Sequence, residues 1–284
     1  MEKGKIGVQM MMLKEEIAQR GIYPVMEQLA GMGFGAVEVS QIDMTPENVQ
    51  ALARAGRELG VQTAAMSCTL STMGLKVPCD TLEDDFDKIV ADCHAVNCGI
   101  LRIGMLPMSY ADTPEHMLEM ADQCEVYAKR LKEHGIDLYY HAHTMEFIRK
   151  DGKPVLTHMR ERTETMGFEL DSHWMWRGGV DPVAYIRSFA GRIRLLHLKD
   201  YRVGPMPDVA KLPPEHFPFL FGMLEQFAEV GEGTLDMPAI IDAGLASGSE
   251  YFLIEQDDRY GRSVWDSLKI SRDNLVKMGY GDWF

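Results

Sequence analysis

A chain of 284 residues, 46% apolar and 25% charged, fits one large α/β domain that can bury a sizeable core. Its formal charge of −14 repels phosphate backbones and anionic lipid surfaces, which argues against nucleic acid and membranes as partners. No apolar stretch reaches the roughly 18 residues of a membrane span, no basic-then-apolar leader opens the chain, and five scattered cysteines without a CxxC pair read as free thiols, so a soluble, cytoplasmic protein is expected.

Residues 5–10 open as a buried strand, and 22–32 follow with helical spacing at Val25, Met26, Leu29 and Met32, stopped by Gly31, Gly33 and Gly35. A second strand is expected at 36–39. Thr45-Pro46 then pairs an N-cap with proline at the first helical position, ahead of a stripe through Val49, Leu52, Ala53, Gly56 and Leu59. The third strand falls at 61–66, followed by a loop over 67–80 and a helix over 82–96, and the fourth strand at 100–103. Thr113-Pro114 repeats the capping signal, and His134-Gly135 ends that helix.

The fifth strand runs into Tyr140-His141-Ala142-His143-Thr144-Met145-Glu146-Phe147; a weak helix at 155–162 and a sixth strand at 167–171 come next. Asp181-Pro182 starts the sixth helix, 193–197 form the seventh strand, and a proline-rich loop spans 199–233 as a lid or partner surface. Asp236 caps a short helix, 251–255 are the eighth strand, and 263–278 the closing helix. Eight alternations without a compositional break predict a (β/α)8 barrel forming a single domain over 1–284. The 21 methionines read as adaptable core filler.

Four strands end on residues that ligate metals: Glu146, Asp171, His197 and Glu255. Functional groups of such barrels sit at the C-terminal strand ends, and three converging carboxylates without a cation would repel one another. The set therefore predicts one divalent metal. Its hard, oxygen-rich character favours Mn2+, with Mg2+, Co2+, Fe2+ and Zn2+ as competitors. Such an ion polarises a carbonyl and stabilises the enediolate left by α-proton removal. Period-two geometry points His141 and His143 to one face. His143 is the expected base, beside the carboxylates Glu146 and Glu255, while His141, His173 and Lys199 are placed on the substrate. Glu38, in mid-strand, reads as a core carboxylate with a partner, and Gly231-Glu232-Gly233 as a hinge.

Tyr140-His141-Ala142-His143-Thr144-Met145-Glu146-Phe147, Leu170-Asp171-Ser172-His173, His197-Leu198-Lys199-Asp200 and Ile254-Glu255-Gln256-Asp257-Asp258 together resemble the sugar phosphate isomerase/epimerase family of xylose isomerase-like TIM barrels. The resemblance runs over nearly the whole chain. It implies one metal held by Glu146, Asp171, His197 and Glu255, although in relatives the first ligand can lie nearer the strand end, at about His141. Ala142 stands where many relatives carry Asn. The implied activity is isomerisation or epimerisation of a sugar or keto-sugar by proton abstraction beside a carbonyl. The alternatives are a lyase sharing that first step, of the inosose dehydratase or C-glycoside deglycosidase type, and a non-catalytic sugar-binding barrel. The resemblance also implies a homo-oligomer, or a hetero-oligomer with a small accessory subunit.

Overall fold

The computed structural model describes residues 3–72 and 79–284; part of the expected 67–80 loop, residues 73–78, lies outside them. Eight parallel strands close into a barrel in sequence order: β1 (Lys5–Gln9), β2 (Ala36–Val39), β3 (Gln62–Cys68), β4 (Ile100–Ile103), β5 (Asp137–His141), β6 (Gly167–Asp171), β7 (Leu195–Leu198) and β8 (Tyr251–Ile254), with β8 pairing back onto β1. Near-continuous burial along each strand follows from having helices outside and side chains inside.

The proline-plus-cap signals hold. Thr45, Thr113 and Asp181 each accept a backbone N–H at the start of Pro46–Leu59, Pro114–Glu133 and Pro182–Ser188. Some boundaries shift. The helix expected over 82–96 begins only at Phe86; ahead of it the N–H groups of Leu82 and Glu83 donate to the Thr69 and Leu70 carbonyls, tying this stretch to the chain just after β3. Two short helices went unread, Lys14–Arg20 and Ser172–Arg177. Among the described residues no helix is long and apolar enough to cross a membrane.

The interior is stacked in layers, as alternate side chains of every strand point inward. At the bottom Ala36, Ala64, Ala65, Ile100, Tyr139, Leu195 and Leu253 form their own small apolar cluster. Gly167 makes room for it, since a Cβ there would lie 2.3 Å from the Tyr139 ring. Two residues further along the strands come Glu38, Arg102, Glu169 and His197, and two further again Gln9, His141, Asp171, Lys199 and Glu255. All are buried.

The 199–233 segment is not a plain loop. Asp200–Val203 pairs antiparallel with Glu225–Ala228, so the prolines and Phe219 and Phe221, 67% and 76% exposed, lie in a long hairpin tip. Its base is tied by one carboxylate: Asp200 accepts from the N–H groups of Tyr201 (2.8 Å), Gly231 (2.9 Å), Gly233 (3.1 Å) and Leu235 (3.2 Å). The glycines of Gly231-Glu232-Gly233 thus cradle an anion belonging to the chain itself, and a Cβ at Gly233 would lie 2.1 Å from the Asp200 carboxylate. Asp200→Ala should cost about 1–3 kcal/mol by stranding these donors. Thermal unfolding together with proteolysis inside 204–224 checks this; unchanged cleavage would show that the base is held by something else.

Candidate metal centre and cleft

Four side chains meet at the C-terminal mouth of the barrel: His141 ends β5, Asp171 ends β6, His197 lies near the end of β7 and Glu255 follows β8. One donor atom from each falls within 4.8 Å of the others, and all four residues are buried. Asp171 Oδ1 caps the Ser172–Arg177 helix, accepting from His173 N (2.8 Å) and Trp174 N (3.0 Å), which leaves Oδ2 without a hydrogen bond over the site, 3.6 Å from Lys199 Nζ. His141 Nδ1–H donates to the Gly104 carbonyl at 3.2 Å, so the lone pair of Nε2 is left without a partner. Asp171 Oδ2 lies 3.8 Å from His141 Nε2 and 3.7 Å from His197 Nδ1. That is too long for a hydrogen bond and close to the ~3.4 Å between ligand atoms that each sit about 2.1 Å from a shared tetrahedral ion. Two buried polar atoms without hydrogen bonds, among imidazole and carboxylate donors, fit a divalent cation.

Glu255 completes the rim. Its Oε1 accepts from Gln9 (2.8 Å), and its Oε2 faces His197 Nδ1 and Lys199 Nζ, both at 2.8 Å. Lys199 is buried, bridges on to Asp257 at 3.0 Å, and lies 4.8 Å from the centroid of the Trp174 ring. Burial works against its charge, but Glu255, Asp171 and Asp257 hold its pKa above the usual lysine range. Burial likewise raises the Glu255 carboxyl, yet Lys199 and His197 pull it well below the ordinary value.

Beneath the mouth, His197 Nε2 is 3.1 Å from both Glu38 and Glu169. Arg102 sits between these carboxylates, 2.6 Å from Glu38 and 3.3 Å from Glu169. Glu38 therefore has the partner its mid-strand position called for. Burial pushes its carboxyl up to about 7 against the pull of Arg102. The two glutamates fix which way the His197 ring faces, presenting Nδ1 to the mouth.

The structure brings Asp171, His197 and Glu255 together and adds His141; it does not bring Glu146 to them. Glu146 is fully buried in its own turn, where Tyr140 OH donates to Oε1 and the His143 N–H donates to Oε2 at 2.9 Å. Burial raises its pKa against these hydrogen bonds. The cluster thus holds two carboxylates and two imidazoles rather than three carboxylates and one. Glu146→Gln is expected to keep normal metal content while losing stability; depleted metal in the folded variant would return Glu146 to the ligand set.

His143 lies edge-on to His141 at 4.5 Å and lines the cleft, with Nδ1 unpartnered. Burial, then the neighbouring His141, lower its pKa to about 2, so the ring is neutral. Burial lowers His141 to about 4. His173 is placed further back among Trp174, Phe227 and Tyr201 rather than on the cleft wall. The sequence reading did not single out Gln9, Arg102, Trp174 or Asp257, all of which line the cleft. Gln9 ends β1 and Asp257 follows Glu255 by one strand period, so the strand-end rule could have found both.

Comparison with known proteins agrees with this architecture. The chain is similar to an inosose dehydratase of Clostridium beijerinckii, 25% identical over 273 residues that cover 89% of this chain and 88% of that one. In structure it is similar to a sugar phosphate isomerase/epimerase from Parabacteroides distasonis (TM-score 0.76, 18% identity, 98% and 99% covered). It is also similar to the IOLI protein, whose structure has a bound zinc atom (TM-score 0.67, 12% identity, 99% of each covered). The xylose isomerase-like TIM barrel family matches residues 26–275, most of the barrel and its site, and this chain belongs to it.

Proposed function

We propose that the protein is a divalent-metal-dependent, cytoplasmic enzyme that isomerises or epimerises a keto-sugar by moving a proton at the carbon beside its carbonyl. The observation that carries this reading is the pair of buried donors without hydrogen bonds, Asp171 Oδ2 and His141 Nε2, converging with His197 and Glu255 where His141 and Glu255 line an open cleft. A divalent ion held there would act as a Lewis acid toward the substrate carbonyl. Mn2+ is our first assignment; a second imidazole makes Co2+, Fe2+ or Zn2+ stronger competitors than Mg2+.

The chain's own groups do the rest. His143, whose neutral ring lines the cleft, takes the α-proton and returns it. Lys199, kept charged by Glu255 and Asp257, provides a positive charge beside the oxygen that gains electron density. His141 serves as a ligand here rather than as a substrate contact, and Trp174 forms part of the wall.

A lyase is the second reading, and similarity to an inosose dehydratase favours it: the same proton leaves, but a β-hydroxyl then departs as water instead of a proton returning. The working state is an oligomer, of identical copies or with a small accessory subunit; the exposed Phe219 and Phe221 support this, and a sedimenting monomer would refute it.

Incubating the metal-loaded protein with keto-sugars in D2O tests the first step. Deuterium at the α-carbon with a recovered stereoisomer indicates the isomerase, net loss of water the lyase, and neither outcome would end the reading. His143→Ala should keep its metal and lose about 10²–10⁴-fold in rate. Metal lost in parallel with rate would make His143 a ligand.

A further inference from the structure

We propose that the barrel carries a second ligand site at the end opposite the metal centre, a cavity of about 660 Å3 that takes an organic carboxylate with a flat apolar body. Pockets of that size hold drug-sized molecules. This one lies at the N-terminal ends of the strands, where Gln62 and Thr63 begin β3, Ile100 begins β4 and Tyr251 begins β8. The Pro46–Leu59 helix and the end of the Phe86–Ala95 helix complete its walls. A ligand there would bind alongside the substrate rather than in competition with it.

The space follows from the sequence. Ala53, Gly56, Gly60, Ala64, Ala95 and Gly99 line the cavity, and none of them reaches beyond a methyl group. Ala64 and Ile100 belong to the apolar cluster at the bottom of the barrel, with Tyr251 packed against it, so part of that cluster forms the cavity floor. Small side chains let a planar ring approach closely, and Tyr251 offers it an aromatic neighbour.

Polar groups lining the cavity lack partners. Thr63 is only 9% exposed, yet its hydroxyl makes no hydrogen bond among the described residues and is free to meet a ligand oxygen. Asn97, in the turn that follows the Phe86–Ala95 helix, adds a side-chain amide that is also without a hydrogen bond. Arg57 supplies the charge. In a chain of net charge −14 it makes no hydrogen bond, ion pair or ring contact among the described residues, and the adjacent Glu58 is taken by Arg54 and Tyr23. Arg194, also on the wall, is instead committed to Glu250 (2.6 Å) and Asp137 (3.0 Å). Lys5 adds positive charge at the rim, where it donates to the neutral Gln62 at 2.7 Å. An unspent guanidinium is a planar fork that matches a carboxylate through two parallel hydrogen bonds.

Calorimetric titration of the metal-loaded protein with 2-naphthoate and 2-naphthamide tests this. The carboxylate should bind with a Kd below about 1 mM and about tenfold or more tighter than the amide, the difference expected of a hydrogen bond to a charged group. Arg57→Gln should erase that difference. Gly56→Leu should abolish binding of both compounds by filling the cavity. Position 56 is exposed, and a Cβ there would lie 3.6 Å from the Val61 carbonyl oxygen, an ordinary contact, so this variant should fold, as thermal unfolding checks. Asp171→Asn, at the other mouth of the barrel, should bind the naphthoate as the wild type does. No binding by the wild type, a preference unaltered by Arg57→Gln, or binding unchanged in folded Gly56→Leu would each overturn the proposal. So would binding lost in Asp171→Asn, which would put the probe on the metal.

Discussion

Arg102→Met should lose about 3–5 kcal/mol of folding stability, the usual cost of stranding one side of a buried ion pair. The side chain is fully enclosed in the barrel, with Glu38 and Glu169 on either side, and methionine of similar length would leave both carboxylates with only His197 Nε2 nearby. Burial already raises Glu38 to about 7 with Arg102 present, so without it protonation becomes the only relief. Adding Glu38→Gln and Glu169→Gln to Arg102→Met should recover most of the loss, because neutral amides tolerate the apolar neighbour. Urea midpoints of the wild type, single and triple variants decide the matter. If Arg102→Met costs less than about 1 kcal/mol, the carboxylates do not depend on the guanidinium.

Asp171→Asn and Glu255→Gln should each nearly abolish activity and weaken metal binding by more than the roughly 10–100-fold that follows changes outside the ligand set. The two substitutions isolate charge from architecture. Asparagine is as good an N-cap as aspartate, so the Asp171→Asn variant keeps the bonds to His173 and Trp174 and loses the anionic Oδ2. Glutamine at 255 retains an oxygen toward Gln9 or Lys199 but not the charge. Metal content after dialysis, with thermal unfolding as a check on folding, reads the result. Either variant retaining its metal and rate would remove that residue from the ligand set.

The barrel was legible because its signals are local. Thr45-Pro46, Thr113-Pro114 and Asp181-Pro182 carry donor, acceptor and fixed φ within four residues, and each starts a helix where expected. The strand-end rule grouped Asp171, His197 and Glu255, which the structure brings together for a similar reason: parallel pairing sets Asp171 level with His197 and carries Glu255, just past β8, to the same rim. Glu146 escaped it. Beyond β5 the chain tightens into a 3-10 turn, Met145–Phe147, which folds its carboxylate back onto Tyr140 and the His143 N–H, and no periodicity predicts that. Period two did group His141 with His143, and the structure sets their rings 4.5 Å apart. What could not be read were partners distant in sequence. Glu38 was recognisable as a core carboxylate, but nothing near it names Arg102, which arrives from two strands away.

The Asp200 clasp has a consequence for how this chain can vary. With the feet of the 204–224 segment fixed by the antiparallel pairing and by four backbone donors on one carboxylate, the barrel senses only where that segment leaves and returns. Lengthening a loop with pinned ends is entropically cheap, about 0.6 kcal/mol for each doubling. This tip can therefore be shortened, extended or exchanged for an unrelated sequence at little thermodynamic expense, while a single change at Asp200 or Gly233 would unfasten whatever it carries.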